Sequence, residues 1–177
     1  MDRFNSIAAQ GNRVVTDVLD DMDRLVGLTP EDALFKARRF RPEFVDGTEI
    51  CRASVLHPAN DQGLGADLRL ALGLRMAQLN AHKTLAADYR AQLLALEPTP
   101  QIIALADGAT DLEEPLATIA RHVDLITLEP IKATAGDIAR LAAAGFSNPQ
   151  IVALSELIAF VNFQVRVATG LSLMRSA

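Results

Sequence analysis

Arg75, His82 and Tyr89 are the residues of this chain whose types and spacing suit acid–base chemistry. His82 lies three residues before Leu85 and seven before Tyr89, so all three share one face of a helix. An imidazole on an apolar face is either a general acid or base whose proton affinity burial tunes, or a hydrogen-bonded structural group between helices. Arg75 follows Leu68 by seven residues and Leu72 by three, which puts a guanidinium on an apolar face as well. There it needs an anion. Glu156 and Asp88 are the internal candidates, and a bound acid is the other. Together the three would make a small pocket for a carboxylate, with His82 and Tyr89 catalytic and Arg75 binding the substrate.

Cys51 is the only cysteine. It excludes an internal disulfide framework, a Cys-x-x-Cys pair and a cysteine-rich zinc site. As a thiol it is a peroxidatic group or a small core residue, and Arg52 is its only basic neighbour. His57 and His122 lie far from His82, and no two histidines are spaced as a helical metal pair, so no metal or other cofactor is expected. The 177 residues are half hydrophobic and 22% charged, with a formal net charge of −5. That balance argues for one folded domain and against nucleic acid or an anionic membrane as partner. The start Met1 to Ser6 has no apolar core of a secretory signal, and polar residues interrupt Ile151 to Val167. A cytoplasmic protein is the expectation.

Helical spacing runs through the chain. Apolar residues from Val14 to Val26 end at Gly27, and Thr29-Pro30-Glu31-Asp32 reads as a helix start that would bury Ala33, Leu34, Ala37 and Phe40. A weaker helix follows from Pro42 to Leu56, then a turn-rich loop from His57 to Gly65. Beyond it, Leu68 to Leu79 and Leu85 to Leu96 form two stripes broken at Asn80-Ala81. Thr99-Pro100 opens a short helix, Leu116 to Ile126 marks another, and Thr134 caps one that ends at Gly145. Ser147-Asn148-Pro149-Gln150 has capping-box spacing before a last long helix that Gly170 would close. On that helix Asn162 and Arg166, four apart in an apolar surround, suit a bridge to another helix or a second subunit. The acidic group Asp17, Asp20, Asp21, Asp23 and the basic group Arg38, Arg39, Arg41 read most simply as solvated faces that could attract each other across the first two helices, for little stability at the surface. The fold class is all-α.

The stretch Asp67 to Leu94, the run Ala133 to Ser147 and the ending Ile158 to Leu171 resemble the AhpD-like, or carboxymuconolactone decarboxylase (CMD), superfamily. The ending, with Asn162-Phe163 before a basic residue and Gly170-Leu171, is most similar to its peroxidase-related branch. Thr16 to Asp21 and Arg41-Pro42-Glu43 resemble a CMD-domain subgroup with an added N-terminal segment. The resemblance implies an AhpD-like helical core over 58–177, an N-terminal helical extension over 1–57 packed on it, and a homo-oligomer. It also implies a redox site of Cys-x-x-Cys-x-x-x-His with an upstream glutamate. Here His82, Leu85 and Tyr89 stand at the cysteine, cysteine and histidine positions, and Leu70 at the acid. The dithiol mechanism therefore does not carry over.

Three functions remain open at this level. One is a cysteine-independent enzyme on a small carboxylate or lactone, with His82 as acid/base. Another is a non-catalytic oligomeric partner of a redox-active AhpD-like relative. The last is an alkylhydroperoxidase-type antioxidant protein that uses Cys51 alone, which the missing motif disfavours.

Overall fold

The computed structural model describes residues 18–176. Its helices are α1 (Asp21–Val26), α2 (Ala33–Arg38), α3 (Pro42–Leu56), α4 (Ala66–Leu79), α5 (Lys83–Leu94), α6 (Pro100–Ala106), α7 (Leu116–Leu128), α8 (Ala135–Ala143) and α9 (Asn148–Ser176). A single 3-10 turn, Pro130–Lys132, joins α7 to α8, and the described residues contain no strand. The local start signals act as the sequence implies. Thr99 accepts a hydrogen bond from the Ile102 N–H, and Thr134 and Asp137 cap each other's backbone at α8. Ser147 and Gln150 form the capping pair that opens α9.

α4 is the centre of the main core: every residue from Arg69 to Ala77 is buried. Such a helix cannot show an amphipathic stripe, because α3, α5, α6, α7 and α9 all pack around it. Gly73 lets α5 come close. A Cβ there would lie 2.7 Å from the Tyr89 ring, inside any real contact distance. Arg69 is buried without a carboxylate partner, and it instead donates to the carbonyls of Val55, Asp61 and Leu64 at 2.7–2.8 Å. One side chain thus ties the end of α3 to the loop before α4 through three backbone carbonyls.

Four features differ from the sequence expectation. α1 begins only at Asp21, because Asp20 accepts the Asp23 N–H at 2.6 Å and acts as its N-cap. Val14 and Val15 lie outside the described residues. In α2, Phe35 is buried and Phe40 is 89% exposed, the reverse of the predicted face. The acidic and basic groups explain that rotation. Far from being solvated faces, Asp20, Asp23 and Arg39 are buried, and Arg38 is nearly so. Arg38 bridges both aspartates, while Arg39 meets Asp23 at 2.6 Å and stacks on the Phe35 ring. Burial acts to raise the Asp20 carboxyl, but the hydrogen bonds from Arg38 and the Asp23 N–H, together with the Arg38 charge, outweigh it and hold the group below the usual range. Only Arg41 behaves as expected of an exposed cation, paired with Glu43; Asp17 lies outside the described residues.

The fourth difference is at Gly170, which does not end α9; the helix continues to Ser176. A mid-helix glycine costs about 1 kcal/mol relative to alanine. Tertiary contacts outweigh that cost: Ala168 and Leu171 join Met22, Val26, Leu28 and Phe35 in a second, smaller core, and Arg175 donates to the Val26 carbonyl at 2.8 Å. α9 is long and apolar enough to cross a membrane, yet 61% of its most apolar window is buried inside the fold.

Candidate functional site

The structure separates the three residues that the sequence suggested as a pocket. His82 sits at the N-cap of α5, where Nδ1 accepts the Leu85 N–H at 3.2 Å. The turn before it is set by Ala81 in the left-handed region, and Asn80 ties the turn to Asn162 of α9 at 3.3 Å. Asn162 is therefore the helix bridge that its position suggested. Tyr89 is fully buried, its hydroxyl donates to Gln164 at 2.8 Å, and burial pushes the phenol's proton affinity well up. A phenol held this way is neutral and aimed at another helix.

Arg75 points to a different side of α4. Its Nε and Nη2 donate to the two carboxylate oxygens of Asp124, each at 2.6 Å. Nη1 donates to the carbonyls of Leu105 and Ala109 at 2.9 and 3.2 Å. The partner is thus Asp124 of α7, neither of the two acids suggested by sequence. Four of the five guanidinium donors are engaged, which leaves little for a substrate carboxylate. Leu85 and Leu70, at the other two positions of the redox pattern, are core residues. Where the resemblance implies a dithiol site, these residues build packed interior closed by one Tyr–Gln hydrogen bond.

Cys51 is exposed on α3. It borders an apolar groove of about 580 Å³ between α3 and α9, with Phe44, Phe160 and Phe163 along its walls. Arg52, its neighbour in sequence, pairs with Asp21 of α1.

A cleft of about 690 Å³ between α7, α8 and α9 has the more reactive lining. His122, Ser155, Asn162 and Arg166 border it beside Ile126, Ile138 and Ile158. The His122 side chain is buried, and its Nδ1 has no hydrogen-bond partner among the described residues. Burial pushes this imidazole below its ordinary value, with Asp137 acting against the shift and Arg140 with it. The ring is then neutral at pH 7, with one buried nitrogen unsatisfied beside an apolar cleft. Such a nitrogen is costly unless something uses it. Arg166 lies exposed at the rim, with no ion pair or hydrogen bond among the described residues. Sequence reasoning noted Asn162 and Arg166 but passed over His122, whose seclusion depends on α8 folding back across α7.

No protein-family model matches this chain, and no curated protein matches it. Among solved structures, it is similar to an uncharacterized peroxidase-related protein from Silicibacter sp. TM1040. The two share 17% identity over 89% of this chain and 86% of the other, with a TM-score of 0.66. The chain has the fold of a peroxidase-related protein. That fold is the all-helical, AhpD-like one implied by the sequence. In this version of the peroxidase-related fold, His122 and its cleft stand apart from the buried side chains of Leu85 and Tyr89.

Proposed function

We propose that this chain is a cysteine-independent acid–base protein of the peroxidase-related fold, acting on a small, largely apolar lactone in the α7–α8–α9 cleft. The observation that carries this reading is a buried, neutral His122 lining that cleft, whose Nδ1 has no hydrogen-bond partner among the described residues. A neutral imidazole can take a proton from water as it attacks the ring carbonyl. It returns that proton to the ring oxygen as the C–O bond breaks, giving the open hydroxy acid. Ser155 and Asn162 border the same space, and the isoleucines suit an apolar ring. His82 does not serve here, because its Nδ1 caps α5.

The test is calorimetric titration with simple five- and six-membered lactones, alongside a coupled assay for acid release. Wild type should bind and open at least one. Ile138→Trp should abolish binding by filling the cleft, and His122→Gln should abolish turnover while leaving binding within a few-fold. Equal turnover in His122→Gln and wild type would sink the proposal.

A further inference from the structure

The row Val152, Glu156, Ala159, Phe163, Arg166 and Gly170 runs along α9 on its outward side, each exposed or half-exposed. Its spacing alternates four and three residues, the 3.5-residue period of a coiled-coil seam. Exposed helix faces are ordinarily polar. Here Val152 and Phe163 are 57% and 43% exposed, on the side of α9 opposite core residues such as Leu154, Leu157, Val161 and Val165. Ala159 is the shared wall of the two grooves on either side, so the seam is a ridge that a second helix could straddle.

The order of residues along the row names the second helix. If a copy of α9 lies antiparallel, with a two-fold axis passing residue 161, then Glu156 faces Arg166, Ala159 faces Phe163 and Val152 faces Gly170. Every pair is complementary: acid on base, small on large, large on small. In a parallel pairing each residue would meet its own copy, with Glu156 against Glu156 and Arg166 against Arg166. That arrangement sets like charges together. Within one chain Glu156 and Arg166 have no hydrogen bond or ion pair to each other or to any other described residue.

We infer that the protein is a two-fold symmetric dimer built on antiparallel pairing of α9, with Glu156 of each copy meeting Arg166 of the other. The pairing brings a second chain's carboxylate to the rim of the His122 cleft and neutralises the guanidinium there. A neutral ligand would then be favoured over an anion, but the pairing does not depend on any ligand.

Charge exchange tests the inference. Sedimentation equilibrium should show wild type as a dimer, and Glu156→Arg and Arg166→Glu should each raise its dissociation constant at least about tenfold. Mixing the two variants should restore dimers, because both facing pairs in the mixed dimer then join an acid to a base. The doubly exchanged chain should dimerise as wild type does. Both sites are on the surface, and circular dichroism checks that the variants remain folded. A monomeric wild type at about 100 μM overturns the inference, as do singles that dimerise normally or a mixture that stays monomeric. A monomeric wild type that dimerises once residues 1–17 are removed also overturns it, because the face is then covered by the chain itself.

Discussion

Removing the carboxylate of Asp124 tests whether Arg75 is a structural cation or a ligand anchor. The Arg75 side chain is only 5% exposed, and its charge is matched by one carboxylate held through two 2.6 Å hydrogen bonds. Stripping one partner from a fully buried pair costs about 3–5 kcal/mol, because the remaining charge is left uncompensated. Asp124 is itself 30% exposed, so water reaches that end of the pair. A discounted cost of about 2–3 kcal/mol is therefore expected for Asp124→Ala. For a chain of this size that lowers Tm by roughly 4–12 °C. Arg75→Met should cost a similar amount by a different route. It releases the Leu105 carbonyl, in the last turn of α6, and that of Ala109. The double variant should be little worse than Arg75→Met alone, giving a coupling energy of about 2 kcal/mol. Urea unfolding of all four proteins measures it. A coupling below about 0.5 kcal/mol would refute the reasoning, since that is the scale of an exposed pair. So would a folded Arg75→Met protein that had lost affinity for a small carboxylate which wild type binds.

Gly73→Ala should destabilise by about 1–3 kcal/mol in urea unfolding, although alanine is the better helix former, because its Cβ would overlap the Tyr89 ring. His122, held below its ordinary value by burial, binds fewer protons when folded than when unfolded. Its contribution is present in full above about pH 6.5 and falls as pH drops toward the folded value. Wild type should therefore lose stability from pH 7 to pH 5 more steeply than His122→Leu, as thermal melts at matched ionic strength would show. Peroxide consumption with a dithiol reductant should be absent in wild type and in Cys51→Ser alike. Turnover that disappears with Cys51→Ser would mean that the exposed thiol reacts although Arg52 is paired with Asp21.

Much of the helical outline is legible in the sequence, because caps and breakers act within a few residues. Thr99-Pro100, Thr134 with Asp137, and Ser147 with Gln150 open their helices where they stand, since each satisfies backbone groups in its own first turn. The same locality identifies the missing dithiol, because two cysteines cannot be hidden by folding. Burial and partnership are not local, and there the sequence is a poor guide. Gly170 reads as a stop, but Leu171 just beyond it is buried with residues of α1 and α2, and Arg175 donates to the Val26 carbonyl. Asp23 reads as a surface acid, but Arg38 and Arg39 close over it. Arg75 finds Asp124 forty-nine residues away, a distance at which spacing along the chain carries no information about contact. His122 is one of three histidines without a motif, and only the packing of α7, α8 and α9 leaves its Nδ1 buried beside a cleft. Local hydrogen bonding thus wrote the helices into the sequence, whereas the desolvation that gives a side chain its chemistry arose only when distant helices met.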